Sequence, residues 1–239
     1  MSEWKQKRFW KTATVVPDGD RFAVELDGRR VKTPAKAALA LPTRAMAEAV
    51  AAEWAAQDEV IKPLSMPVTR SANAAIDKVR QQHHEVAEML AAYGDADLLC
   101  YRAEAPDELV ARQAAQWDPV LDWSHESLGA RLIPCAGVMH QPQDRKALQQ
   151  LAEPVHRMSD FQLAAFHDLV SLSGSLILGF AAAKGWRATD DIWELSRLDE
   201  LWQQEQWGAD EEAVEQAEIK RQAFIHAKRF FDLSKATQR

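Results

Sequence analysis

The sequence predicts an α+β protein: a small N-terminal antiparallel β domain with one packed helix, residues 1–66, followed by a larger all-helical C-terminal domain, residues 67–239. Three observations predict it. Turn dipeptides and period-two alternation are concentrated between Arg8 and Pro42, which is the pattern of strands. From Val68 onward apolar residues recur at three- and four-residue steps, the pattern of helices with one buried face. The composition, 47% hydrophobic and 27% charged, is that of an ordinary globular chain.

The elements follow in order. Phe9–Val16 is strand-like and is followed by a turn at Pro17-Asp18-Gly19-Asp20. Arg21–Leu26 alternates polar and apolar residues, and Asp27-Gly28 is a two-residue type I′ hairpin signal. Arg29–Thr33 returns as a third strand and Leu39–Leu41 is a shorter candidate. Thr43 is placed as the N-cap of a helix over 44–57, with Met46, Val50 and Trp54 on one face to cover the sheet. Ile61–Pro67 is extended, and Pro67 suits the first turn of the next helix. Helices are expected over 68–78 and 81–93, with a break at Gly94–Asp97. Leu98–Arg102 is strand or helix by periodicity. Pro106–Trp117 is helical, and Asp118-Pro119 starts or kinks a further segment to Leu128. A helix over 144–156 precedes a long central helix, Phe161–Lys184, capped by Ser159-Asp160 and closed by Gly185. Thr189 is placed as the cap of a helix that runs to Gly208, and Asp210 starts the last one.

The stretch Leu195–Gly208 stands out. Leu195, Leu198, Leu201 and Trp202 make one apolar face, and Gly208 suits a left-handed C-cap. Asp199, Glu200 and Glu205 share about two turns with Trp202 and Trp207. Read as the C-terminal part of one helix, these acids oppose the macrodipole.

Several functions are disfavoured. The net charge of −7 and the lack of a dense basic tract argue against nucleic acid. The longest uncharged apolar stretch, Leu169–Ala183, is about 15 residues, short of the roughly 20 that span a bilayer. The N-terminus is basic but has no apolar h-region, and it lacks the length and Ser/Arg richness of a mitochondrial presequence. Cys100 and Cys135 form no CxxC pair and no zinc-spaced cluster. Gly174 and Gly179 have phosphate-loop spacing, but Phe180-Ala181 follows instead of Lys-Ser/Thr. Small residues there suit close helix packing. His83-His84-Glu85 and His167-Asp168 are adjacent residues that point about 100° apart on a helix, so neither pair converges unaided. Cys100 with a distant histidine is the remaining nucleophile reading, that of a small cytoplasmic hydrolase. Nine tryptophans against two tyrosines favour protein binding over catalysis.

Six short motifs in order carry a resemblance. They are Arg8-Phe9-Trp10-Lys11; Leu26-Asp27-Gly28-Arg29 with Lys32-Thr33-Pro34; Glu53-Trp54 and Gln57 with Ile61-Lys62-Pro63 and Met66-Pro67-Val68-Thr69, followed by Asn73 and Ile76-Asp77; Cys100-Tyr101-Arg102; Trp117-Asp118-Pro119; and Leu195–Glu200 with Trp202-Gln203 and Trp207-Gly208. Together they resemble the assembly chaperones of the alpha subunit of the F-type ATP synthase catalytic head, over about Arg8 to Gly208. The resemblance implies a chaperone, not an enzyme. Such a chaperone binds the unassembled alpha subunit, shields it from self-association, and releases it to the beta subunit. It implies a β-rich N-terminal domain joined to a helical one. It carries functional carboxylates onto Asp199 and Glu200, with Glu205 beside them, and a structural role onto Trp54. Trp202 and Trp207 are then candidate anchors for the client. We expect no cofactor, no metal, no nucleic acid or membrane partner, and a free protein that is monomeric. Eukaryotic members work in the mitochondrial matrix, and this chain is expected to be a bacterial, cytoplasmic member.

Overall fold

The computed structural model describes residues 7–235; the basic segment up to Gln6 lies outside the described residues. The chain forms two compact units. The first takes the chain to Gln82, together with Ser159–Ala165 and the segment from Arg229 onward; the second comprises His83–Met158 and Phe166–Lys228.

In the first unit, β1 (Ala13–Asp18), β2 (Arg21–Leu26) and β3 (Arg29–Arg30) form an antiparallel sheet in that order. Ala13 pairs with Leu26 and Asp18 with Arg21. β1 starts later than the sequence pattern suggests and runs through Pro17. It is an edge strand, where a missing N–H is tolerated. Asp27 and Gly28 both have positive φ, 49° and 80°, as a type I′ turn requires. The Asp27 carboxylate accepts from the Lys11 and Thr12 amides, both at 2.9 Å, so the turn is tied back to the start of β1. The third strand is only two residues long; beyond it single bridges join Lys32 to Ala38 and Phe22 to Leu41.

α1 (Arg44–Ala55) packs on β1 and β2. Thr43 caps it, accepting from the Met46 amide at 3.1 Å. Met46 and Val50 are fully buried, and Trp54 meets Trp10 edge-on at 5.1 Å. Glu53, in the last turn of α1, caps the next helix. Its two oxygens accept from the amides of Val68 (2.7 Å) and Thr69 (2.8 Å), at the start of α2 (Pro67–Asp77). A carboxylate there satisfies orphan donors and complements the helix dipole. The boundary read from sequence, after residue 66, falls between this carboxylate and the helix it caps. Buried Gln57 organises the linker by accepting from the Lys62 amide at 2.7 Å and donating to Ser65 Oγ at 3.1 Å.

In the second unit, α3 (His83–Ala91) packs against α5 (Arg145–His156). α4 (Asp107–Leu128) is a single helix that carries Pro119 inside it. Leu98–Arg102 resolves into a short 3₁₀ turn and β4 (Tyr101–Arg102), which pairs in parallel with β5 (Cys135–Ala136). The long central helix expected over 161–184 is two helices. α6 (Asp160–Ser173) ends before Gly174, at φ 70°, and Ser175 caps α7 (Leu176–Lys184) by accepting from the Leu178 amide at 3.0 Å. A left-handed residue cannot continue a right-handed helix. Every residue of α7 from Leu176 to Ala183 is buried, so hydropathy alone reads it as one run with α6. Ser159 and Gln162 form a reciprocal capping box at the start of α6. α10 (Glu211–Leu233) starts at Asp210, which accepts from the Glu212 amide at 2.9 Å.

Candidate functional site

The stretch Leu195–Gly208 is not one helix. α8 (Thr189–Ser196) stops at Arg197, φ −109° and ψ 9°, and α9 (Leu198–Trp207) starts anew. Ala188, rather than Thr189, holds the N-cap position of α8, and no side chain bonds there. The break changes the electrostatics. Asp199 and Glu200 lie in the first turn of α9, where the dipole favours anions. The cost expected from reading them at a helix C-terminus does not arise; only Glu205 sits near the far end. Gly208 ends α9 at φ 92°, ψ 160°, a glycine conformation but not the left-handed C-cap expected.

α4 supplies the other wall. Trp117, fully buried, donates Nε1–H to the Leu195 carbonyl at 2.9 Å. One turn earlier, Gln113 is 2% exposed; it donates to Asp199 Oδ1 at 2.7 Å and accepts from the Ala103 amide at 2.8 Å. Arg112 forms a fork to Glu205, 2.6 and 2.8 Å, and stands 5.7 Å over the Trp202 ring. This pairing holds the Glu205 carboxyl below its usual range and raises the Arg112 guanidinium. Glu200 pairs with Arg197, which also lies 5.7 Å over the Trp193 ring. Arg102 bonds Asp118 at 2.9 Å and stacks 5.3 Å over Trp117. Three motifs far apart in sequence thus meet here: Cys100-Tyr101-Arg102, Trp117-Asp118-Pro119 and Leu195–Glu200.

The five residues singled out from sequence therefore share one short helix but differ in availability. Asp199 lines a cleft of about 350 Å³ with Tyr101, Arg102, Gln113, Val138 and Gln203. Glu200 and Glu205 are exposed, and each has an arginine partner. Trp202 is half-buried under Arg112, whereas Trp207 is 79% exposed. Val138, which lines the cleft, and the next residue, Met139, are 89% and 76% exposed. Nothing in their local sequence distinguishes these two residues from a loop.

The first unit has a larger cleft, about 720 Å³, that sequence reading missed. Phe9, Leu26, Trp54 and Ile61 supply apolar walls, and Lys7, Arg29, Arg30, Lys32 and Lys36 surround them, with no acid among the described residues that line the cleft, although Arg30 bonds Asp18 outside it at 2.7 Å. The signal was present as the basic run Arg29-Arg30-Val31-Lys32, obscured by the overall negative charge.

The residues considered for catalysis fare differently. Cys100 is 2% exposed, and burial pushes its thiol up to about 12. Asp97 pushes it the same way and Arg102 opposes, and no histidine among the described residues acts on it. A thiol so protected is not a nucleophile at neutral pH. His167 and Asp168 do meet, contrary to the expectation for neighbours on a helix, with Nδ1 2.9 Å from Oδ1. That bond raises the His167 pKa. His83 Nε2 lies 2.7 Å from the Met158 carbonyl, and the His84 ring lies 5.4 Å from that of His156.

The family model for ATP12 chaperone proteins matches residues 7–125. Among characterised relatives, the mitochondrial protein atp12 of Schizosaccharomyces pombe is 29% identical over 223 residues, 87% of this chain and 76% of that protein. Among solved structures, Atp12 from Paracoccus denitrificans matches with a TM-score of 0.95 at 47% identity, covering 98% of this chain and 100% of the other. An aspartate-to-lysine variant of that protein matches equally well. A protein from Agrobacterium tumefaciens, proposed to be a chaperone, matches with a TM-score of 0.91 at 43% identity, covering 96% of this chain and 86% of the other.

Proposed function

The chain belongs to the ATP12 chaperone family, and from that premise we propose that it binds the unassembled alpha subunit of the ATP synthase catalytic head, prevents its aggregation and releases it to the beta subunit. The observation that carries the reading is the α9 face. Carboxylates at its first turn stand beside a cleft, and an exposed Trp207 stands at its other end. Unassembled subunits expose apolar patches that drive aggregation. A large aromatic side chain covers such a patch, while rim carboxylates select a basic edge and speed encounter more than they add affinity.

Release follows from the same arrangement. Glu205 and Glu200 already have internal arginine partners, so a client cation exchanges one pairing for another and gains little net energy. An interface of this kind loses to a larger permanent one. Asp199, held from one side by Gln113 and open to the cleft, is the acid we assign to direct client contact, with Trp207 as anchor. The relatives of known structure come from bacteria, and we place the work of this chain in a bacterial cytoplasm.

The test is co-purification with the alpha subunit of the same organism, expressed without beta. We expect a complex that dissolves on addition of beta subunit. Asp199→Lys should lower capture at least about tenfold and Glu200→Lys, already paired with Arg197, by less, each with an unchanged far-ultraviolet circular dichroism spectrum. Capture of nothing by the wild type would remove the client assignment. Full capture by both folded variants would move the contact away from α9.

A further inference from the structure

His84 and Glu88 stand one helical turn apart on α3, so they share a face. His156 is the last residue of α5, the helix packed beside it. One ring nitrogen of each histidine and one oxygen of Glu88 all lie within 4.8 Å of one another. His156 Nε2 is 2.9 Å from Glu88 Oε1. We infer that His84, Glu88 and His156 form a binding site for a divalent transition-metal ion of the zinc class, which clamps α3 to α5.

The donor set is of the right kind. Two imidazoles and a carboxylate suit zinc and its first-row neighbours rather than magnesium or calcium. Tetrahedral zinc, with ligands at about 2.0–2.1 Å, needs donor atoms roughly 3.3 Å apart. The His156–Glu88 pair already has about that spacing, and His84, within 4.8 Å of both, has to close by at most about 1.5 Å. An exposed imidazole does so by rotating about its side-chain bonds. The frame beneath is rigid: Ala87 and Leu90 of α3 and Leu151 and Val155 of α5 are fully buried. Held this way, the ligands lose little freedom when the ion enters.

The electrostatics favour a cation. His156 sits at the C-terminus of α5, the negative end of the dipole. Glu85, one turn back on α3, adds negative charge. The neighbouring Arg157 is neutralised by Glu153. The Glu88 side chain is 60% exposed and that of His156 28%, so the fourth position is open to water. A site that is three-ligand, open and on the surface fits a reversible clamp rather than a permanent structural zinc.

The test uses the full chain without a polyhistidine tag, stripped with a chelator and titrated with zinc chloride by calorimetry. We expect one equivalent to bind, and zinc to raise the melting temperature. His84→Asn and His156→Asn should each weaken binding at least tenfold and abolish the thermal shift. His83→Asn, whose ring faces the Met158 carbonyl, should leave both unchanged. Cobalt in place of zinc should show the visible absorption of a four-coordinate nitrogen and oxygen site. Absence of stoichiometric binding, or binding unaffected by both folded His84 and His156 variants, would overturn the inference and leave only the His156–Glu88 side-chain contact.

Discussion

Asp97 shows how a single residue can look dispensable in sequence and be central in the fold. It is 1% exposed and accepts from the Leu99 amide at 3.0 Å and the Ile177 amide at 3.1 Å. Burial outweighs these bonds and pushes its carboxyl up to about 6 from 3.8. A folded-state pKa raised in this way contributes stability that is fully present below about pH 3.8 and lost as pH rises through 6. Urea unfolding should therefore show Asp97→Asn gaining on the wild type between pH 4 and 7; a constant difference would count against the raised pKa. Asp97→Ala should cost at least about 2 kcal/mol at low pH, where the wild type keeps its full stability, because two buried amides lose their acceptor, and the cost should shrink as pH rises through 6. The cysteines make a second residue-scale prediction. Iodoacetamide should modify the partly exposed Cys135 and spare Cys100, read by peptide mass; labelling of Cys100 in the native state would contradict its burial.

At the scale of elements, the contact between α6 and α7 depends on Gly179. A Cβ there would stand 2.6 Å from Val170 Cγ2 and 3.4 Å from the Phe166 ring, too close for a β-branched neighbour in a packed core to accommodate. Gly179→Ala should destabilise the fold by about 1–3 kcal/mol. Ser175→Ala, which removes the α7 cap, should cost about 1 kcal/mol. Equilibrium denaturation checks both, and a neutral Gly179→Ala would mean that the helices separate freely. The role of small residues here was legible from the sequence, because close spacing needs them. The break at Gly174 was not. A glycine in an apolar run reads equally as a packing residue or a stop, and only the buried Ser175 cap and the partner Asp97 decide for a stop. The Arg197 break is similar: the apolar periodicity of Leu195, Leu198 and Leu201 passes through it without interruption.

For the whole molecule, a chain of net charge −7 carries exposed carboxylates on one short helix of its second unit and a basic, aromatic-walled cleft in its first. If the α9 carboxylates guide client encounter, added salt should slow capture of the alpha subunit while leaving the dissociation rate nearly unchanged, since screening acts on long-range steering. Stopped-flow mixing measures both rates. A salt-independent association rate would assign capture to apolar contact alone.

The sequence by itself determined the α+β class, the hairpin at Asp27-Gly28, the Thr43 cap and the Pro67 helix start, because each rests on local backbone chemistry that neighbours in the chain enforce. It also singled out Asp199, Glu200, Trp202, Glu205 and Trp207 as one group, and it carried the family motifs. Only the tertiary structure decided which of those carboxylates are already paired, that Trp207 is exposed while Trp202 is covered, and that Glu53 reaches across to cap α2. Nor could the sequence bring His84, Glu88 and His156 together. Pairing, burial and convergence depend on which distant segments come to lie side by side, and hydrophobic periodicity shows which face of a helix is buried but not what it is buried against.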